Sequence, residues 1–390
     1  MSSVREVLRV IYAPHKAFKE IIQKPGYKGP LIIMLLFVLS FSVFYYVFST
    51  RVYYDQTAPP LSKAERDKWT ESASLWHSNQ GARISNNTLD YIKGNYYGNK
   101  SIQYELENSS WICMELIIAG GLNCIEPNHY TNLTFRIKIV EPSDVSPSNM
   151  SIYLFSENST DKYFNYSIQS NPIMVGVWNN KTILLGDFSS FNGNWSNITS
   201  LMFKLEWPDN RNITVLVDGV FFHGFYKSEF EMYGGALALY SMVNAFMIFF
   251  MQWVILGVIL YLFSLLFKAQ PVWKTMFVVS GFALITLFVQ NLILTGVVLA
   301  YPEMRLSLET LGGVPGEGLT VDVQNYMSIF FIQYNILERI VHYVWVVALC
   351  SIALRLLFNF PWTRSISVSL LSSIISLLAF RLLAFGTIWL

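Results

Sequence analysis

Charge is scarce in this chain. Only 14% of its 390 residues are Asp, Glu, Lys or Arg, against about 25% in a soluble domain. The net charge of +1 leaves no basic surface for nucleic acid. Histidine and cysteine are also rare. The five histidines (His15, His77, His129, His223, His342) are scattered, and no spacing of them with the three cysteines has the form of a metal site. No phosphate-cradling glycine loop and no nucleophile-base motif stands out. The expectation is therefore a non-catalytic protein without metal or cofactor.

Apolar side chains are abundant: 53% of the residues are hydrophobic and 16% aromatic. They gather in five runs, 29–50, 236–267, 275–300, 326–358 and 365–390. A bilayer is crossed by about 20 apolar residues, so each run is predicted to span. The second and fourth are long enough to tilt or project. The first run lacks a small-residue cleavage site and is expected to remain as an anchor.

Lysine and arginine orient the spans. Arg5, Arg9, Lys16, Lys19, Lys24 and Lys28 precede the first, Lys268 and Lys274 lie between the second and third, and Arg355 and Arg364 flank the turn between the fourth and fifth. The segment between the third and fourth has only Arg305 against Glu303, Glu309, Glu317 and Asp322. The positive-inside rule puts the N-terminus in the cytosol, and residues 51–232 and the C-terminus outside. Residues 51–232 hold 14 basic and 19 acidic side chains, the rest of the chain 13 and 7. The expected location is the cell membrane, with a secretory-pathway membrane as the alternative.

Eleven Asn-x-Ser/Thr triplets fall between residues 86 and 214 and none elsewhere. Their asparagines are Asn86, Asn99, Asn108, Asn132, Asn149, Asn158, Asn165, Asn180, Asn194, Asn197 and Asn212. Chance would give about three, and none has proline in the middle, so each is a candidate glycan acceptor on the non-cytosolic side. Turn chemistry of a polar strand-and-loop region is the bland alternative.

The first 28 residues read as two short basic amphipathic helices. Val4, Val7, Leu8 and Ile11 mark one; Ala17, Phe18, Ile21 and Ile22, after Pro14 at the first helical position, mark the other. Both are expected in the headgroup layer, with a docking site for a cytosolic partner as the alternative. The stretch Tyr12-Ala13-Pro14-His15-Lys16-Ala17-Phe18-Lys19-Glu20-Ile21-Ile22, then Pro25 and Gly29-Pro30, resembles the start of prokaryotic, archaeal-like Yip-domain membrane proteins. The turn Phe267 to Lys274 and the five-span layout are similar to that family too. The acidic-Leu-Tyr-Gly-Pro motif of its eukaryotic members is missing, and residues 51–232 are an insertion.

Within the insertion, Ser62 to Glu65 reads as a capping box opening a polar helix over Ala64–Trp76. Strands are predicted at Ser110–Ala119, Leu133–Val140, Met150–Ser156, Tyr163–Gln169, Ile173–Trp178, Thr182–Leu185, Ser200–Glu206 and Ile213–Val217. Eight such runs predict an all-β sandwich inserted into the α-helical polytopic membrane protein. The run from Trp178 through Asp187-Phe188 and Ile198–Leu205 to Val215–Val220 resembles the closing strands of jelly-roll, galactose-binding-like modules. That resemblance implies a sugar ligand on exposed aromatics, with Trp178, Trp195 and Trp207 as candidates, and a turn at Asp218-Gly219-Val220. Core packing is the alternative for Trp178 and Trp207. Cys113 and Cys124, across Gly120-Gly121, are expected to form a disulfide in an external compartment.

The fourth span carries Asn335, Glu338, Arg339 and His342, with Asn335, Glu338 and His342 on one helical face. A charge in lipid calls for a partner, and Arg381 of the fifth span lies within about one turn of the depth of Glu338. A structural clasp and an ion or proton path are both open. The sequence thus points to a scaffold or accessory subunit with lipid and protein partners. A transporter component or a sugar-binding receptor is the alternative.

Overall fold

In the computed structural model, the described residues are 3–61, 67–79, 81–125, 127–168, 173–314, 328, 336, 340 and 343–386. The chain forms two units. One comprises Tyr53–Lys227 and Arg305–Gln324; the other comprises Met1–Val52, Ser228–Met304 and Asn325–Leu390.

The first unit is a β-sandwich of eleven strands among the described residues: β1 (Val52–Ala58), β2 (Trp76–Ser78), β3 (Arg83–Asn87), β4 (Ser101–Leu122), β5 (Asn132–Glu141), β6 (Asn149–Ser156), β7 (Ser159–Ile168), β8 (Asn179–Leu184), β9 (Ser189–Phe191), β10 (Ile198–Ser228) and β11 (Met304–Leu306). β4 runs antiparallel along almost its whole length to residues 198–217 of β10, from Ile198 opposite Leu122 to Val217 opposite Ile102. The register slips on either side of Arg211, where Asn108 takes a φ of 48°. There the ribbon turns a corner, as strands do when they pass from one sheet layer to another.

Each half of the ribbon is widened by other strands. Layer A runs β9-β7-β6-β10-β4-β2 and uses residues 198–206 of β10. Layer B runs β8-β5-β10-β4-β3 and uses residues 213–223. β1 joins β10, and β11 joins β1. Phe135 of β5 meets Phe203 of β10 with ring centroids 4.6 Å apart, and Trp76 stacks on Phe203 at 6.4 Å. The interior between the layers holds alternate residues such as Met150, Ile152 and Leu154 of β6, the period-2 pattern that made this strand readable.

The outer face of layer B is covered. Ile92, Tyr97, Phe221 and Leu308 form a second apolar cluster there. Leu308 starts the short helix α7 (Leu308–Gly312), capped by Ser307, whose side chain accepts from the Thr310 amide. The Leu308 amide donates to Asp55 at 3.1 Å, and the Asn95 amide donates to the Gly312 carbonyl at 2.6 Å. The segment 305–314 is thereby part of the β-sandwich unit. The outer face of layer A has no such cover among the described residues.

Several expected features differ. Asp67–Thr70 is a turn, Ala73–Leu75 a single 3-10 turn, and Trp76 begins a strand, so the described part of 64–76 is not an α-helix. Burial of Trp69 and Trp76, whose indole N–H donates to the Trp69 carbonyl at 2.6 Å, overrides local helix propensity; Ser62 to Glu65 lie outside the described residues. The segment 173–178 makes one bridge, Val175 to Ile139. The side chain of Asn179 folds it back, bonding Met174 and Val177. Asp218-Gly219 is a bulge inside β10, with Gly219 at φ 57°. A Cβ there would lie 2.6 Å from the Tyr97 ring and 2.8 Å from Arg136. Gly120-Gly121 is likewise a bulge, not a hairpin.

That bulge decides the cysteines. Cys113 and Cys124 are free thiols. Cys113 pairs with Lys204 and Leu122 with Ile198, so six residues of β10 separate them, roughly 20 Å of extended chain. A disulfide needs Cα atoms within about 7 Å.

The second unit is helical: α1 (Ser3–Tyr12), α2 (Pro14–Gln23), α3 (Lys28–Ser49), α4 (Glu229–Leu266), α5 (Trp273–Ala283), α6 (Ile285–Ala300), α8 (Trp345–Phe358) and α9 (Trp362–Gly386). Four stretches are long and apolar enough to cross a membrane: Lys28–Ser49, Glu229–Leu266, Trp273–Ala300 and Trp362–Leu383. α8 is the described part of the remaining run. Leu31, Leu35, Leu39 and Val43 form an exposed leucine-valine stripe along α3, and Leu239, Val243, Phe246 and Phe250 one along α4. Interior faces pack closely: a Cβ on Gly281 would meet Pro30 at 2.6 Å and the Trp253 indole nitrogen at 2.7 Å, the small-residue contact that brings apolar helices together. α4 begins at a complete capping box, Ser228 with Glu231.

α1 and α2 are helices as expected, but they join the helical core. Val7, Val10, Ala17, Phe18 and Ile21 are buried in it, while Val4 and Leu8 are each 54% exposed. Arg9 ties the two helices through Glu20 at 2.9 Å.

Phe203→Ala should destabilise the sandwich by about 3–5 kcal/mol, since it empties the contact between the layers. Denaturant titration followed by tryptophan emission, with Trp76 stacked on the site, measures it.

Candidate glycan-bearing surface and buried polar sites

All eleven sequon asparagines lie on the β-sandwich unit, and none is buried. Asn86, Asn99, Asn108, Asn158, Asn180 and Asn212 are exposed; Asn132, Asn149, Asn165, Asn194 and Asn197 are half-buried. Asn108 and Asn212 sit together at the ribbon corner, where the Asn108 amide donates to Asn212 Oδ1 at 3.2 Å. On the open face of layer A, Asn149 donates from Nδ2 to Glu206 at 3.2 Å, and near its end Asn194 donates to Glu157 at 2.8 Å. A side chain that carries a sugar has to reach water; none of the eleven residues is buried, although Oδ1 of Asn132 is shut off from solvent.

The three tryptophans proposed as sugar platforms are engaged elsewhere. Trp207 is buried and donates to the Val145 carbonyl at 3.3 Å. Trp178 donates to Asp90 at 2.8 Å and packs on the cluster behind layer B. Trp195 stacks on Phe164 at 3.8 Å and packs on the core. Its remaining edge lines a cavity of about 270 Å³ with Cys124, His129, Tyr130, Thr131 and Leu185. The exposed aromatic surface lies elsewhere, on layer A. Tyr153, Phe155 and Tyr163 are half-buried there, and Phe191 is 47% exposed. Their rings touch in series: Phe155 to Tyr163 at 5.9 Å, Tyr153 to Tyr163 at 5.7 Å, and Tyr163 stacked on Phe191 at 5.0 Å.

Two buried polar groupings were invisible in the linear chain. His223 Nδ1 lies 2.9 Å from Asp55 Oδ2, and its Nε2 lies 2.8 Å from Thr134 Oγ1, which lies 2.7 Å from Thr182 Oγ1. Asp55 also accepts from the amides of Gly224 and Leu308. The hydrogen-bond order is that of a hydroxyl-imidazole-carboxylate relay. Thr134 is 0% exposed and Asp55 3%, so a reactant has no approach to the hydroxyl. The arrangement fastens β1, β5, β8, β10 and α7 to one another.

In the second grouping, the Thr70 hydroxyl lies 3.1 Å from both Asp67 Oδ2 and Asp218 Oδ1. Asp218 also accepts from the amides of Ile92 and Gly219, each at 2.7 Å. Burial pushes the Asp67 carboxyl up to about 6; its bond with Asp218 opposes this and the nearby Glu71 adds to it. Burial, then the neighbouring Asp67, pushes Asp218 well above the usual carboxylate range. The fold therefore favours the protonated forms. For a carboxyl raised in the folded state, stability is fully present below the unfolded value and is lost as pH rises through the folded one. Between 3.8 and about 6, Asp67 should cost the wild type roughly 2–3 kcal/mol. Asp67→Asn, which cannot ionise, should flatten that part of the stability-pH curve, as measured by denaturation at several pH values.

Asn335, Glu338, Arg339 and His342 lie outside the described residues. Arg381 lines a cavity of about 350 Å³ with Tyr343, Val347, Ser373 and Leu377. At the turn between α8 and α9, Arg355 lies over the Trp362 ring at 4.4 Å and Arg364 over Phe360 at 4.1 Å.

No protein-family model matches this chain, and no curated protein does. Solved structures similar to part of it include carbohydrate-binding modules, agarases and a bacteriophage tailspike protein. The family 11 carbohydrate-binding module from Clostridium thermocellum, in complex with a beta-1,3-1,4-mixed-linked tetrasaccharide, is 16% identical with a TM-score of 0.27, over 39% of this chain and 90% of that one. The CBM22-2 xylan-binding domain from Paenibacillus barcinonensis Xyn10C is 13% identical with a TM-score of 0.29, over 40% and 94%. An exo-beta-agarase is 15% identical with a TM-score of 0.30; the match takes in 40% of this chain and 23% of that one.

Proposed function

We propose that this protein is a five-span membrane protein, with the layout of a Yip-domain protein, that holds a heavily N-glycosylated β-sandwich on the outer side of the membrane. In this reading it is a non-catalytic scaffold or accessory subunit of a larger membrane or cell-surface assembly. The observation that carries it is the division of labour between the two units. Every sequon falls on the β-sandwich and reaches solvent, while the helices turn leucine and phenylalanine stripes outward. Apolar stripes of that length belong against lipid.

Chain tracing supports the sidedness. The chain leaves the sandwich at Lys227 and returns to it at Arg305, after the two spanning stretches of α4 to α6. Two crossings bring it back to the side it left, the side the lysine-arginine pattern also assigns.

A sugar-binding reading is second, favoured by the cavity that Trp195, Tyr130 and His129 line together; aromatic walls with a few polar groups suit saccharides. Purification of the full chain from its own cells in mild detergent separates the readings. Sugar-bearing peptides spanning several of the eleven asparagines, with partners at fixed stoichiometry, are the expected result. A carbohydrate-free protein would overturn it. Substrate flux in liposomes by the isolated chain would favour transport instead, and saccharide-dependent quenching of Trp195 emission would favour recognition.

A further inference from the structure

An exposed set of touching aromatic rings on a sheet face calls for an occupant. Here the register names one. Asn165 of β7 stands directly opposite Tyr153 of β6, and Tyr163 precedes it by two residues. Residues two apart on a strand share a face, and directly opposed residues have Cβ atoms about 5 Å apart. The sequon Asn165-Tyr166-Ser167 is thus set within the aromatic patch. Tyr153 is beside it, and the row Phe155, Tyr163 and Phe191 is one pleat away. On its other side Asn165 pairs with Ser189 of β9.

We propose that this face is the resting platform for the N-linked glycan of Asn165, a site where the protein binds its own carbohydrate. The inference rests on the glycosylated reading above. The C–H face of a pyranose is apolar and stacks on an aromatic ring, while its hydroxyl edge suits the serines of the same strands. Tyr153 and Tyr163 present an apolar body with a polar tip to a half-wet surface, and Phe155 and Phe191 add apolar area beside them. The sequon's position in the register excludes a flat protein partner from the same patch, since the first sugars on Asn165 would stand between the rings and any incoming surface. Layer A is also the layer whose outer face is uncovered among the described residues, so the sugar supplies there what Ile92, Tyr97, Phe221 and Leu308 supply on layer B.

The test uses the full-length glycoprotein in detergent and limiting sodium periodate, which cleaves exposed vicinal diols. Glycopeptide mass spectrometry compares oxidation of the Asn165 glycan with that of Asn180, an exposed asparagine on edge strand β8. The expected result is slower oxidation at Asn165 by about threefold to tenfold in the native protein, and equal rates after denaturation. Tyr153→Ser combined with Tyr163→Ser should bring the native rates together. Phe191→Ser, on the short edge strand β9, is the milder variant if the double one misfolds, and should narrow the gap. Equal native rates in the wild type would overturn the proposal, as would an unoccupied Asn165 beside an occupied Asn180. A protein with no occupied sequon would instead overturn the glycosylated reading itself.

Discussion

The pairing of β4 with β10 is the interaction on which the rest of the sandwich depends. Single strands of five or six residues would leave each layer to be closed by separate contacts. Here two long strands stay hydrogen-bonded from Ile198–Leu122 to Val217–Ile102 and bend once, near Arg211 and Asn108. The bend places one half of the ribbon over the other, so that Phe203 of the first half meets Phe135 beside the second. All other strands attach to the edges of this ribbon or to one another. The same geometry separates Cys113 from Cys124 and makes Gly120-Gly121 a bulge, because β4 is still paired with β10 on both sides of it, at Ile117 and at Leu122.

The two layers then acquire different outer surfaces. Layer B is covered by Ile92, Tyr97, Phe221 and Leu308, with Asp55 bonding to β10 and to the start of α7. Its buried side bears Arg136, His223 and the Asp67–Asp218 pair, each held by named partners. Layer A is left open, with aromatic rings and acceptor asparagines in the same grid. The covering segment of layer B matters topologically as well, because it follows α6 and yet shares one folding unit with residues 53–227. A chain with the two segments on opposite sides of a bilayer could not build that unit.

Much of this was legible in the residues. A bilayer crossing takes about 20 apolar residues in a row, and the stretches Lys28–Ser49 and Trp273–Ala300 are long and apolar enough for one. Strand β6 is legible because one face is buried and the other is not, so Met150, Ile152 and Leu154 alternate with Asn149, Ser151 and Tyr153. What could not be read are the places where tertiary context decides. Gly120-Gly121, Trp207-Pro208-Asp209-Asn210 and Asp218-Gly219 have the composition of turns, yet all lie in or beside continuous strands. Only the partner strand determines whether such a sequence reverses the chain or merely bulges. The helix expected up to Trp76 lost to the burial of two indoles. His223 and Asp55 are 168 residues apart, and no local pattern announces a contact of that separation. The cluster of Tyr153, Phe155, Tyr163 and Phe191 is hidden in the sequence for a related reason: its rings come together from three strands, so no single run announces it.

The central claim is that residues 53–227 and the segment after the third span stand together on the outer side. Single cysteines introduced at Met174, Glu303 and Gln270, in a chain whose Cys113, Cys124 and Cys350 are replaced by serine, test it with a membrane-impermeant maleimide on sealed cells. The account predicts labelling at positions 174 and 303 from outside, and at position 270, in the turn between α4 and α5, only after permeabilisation. Labelling of 270 from outside, or opposite behaviour at 174 and 303, would contradict it.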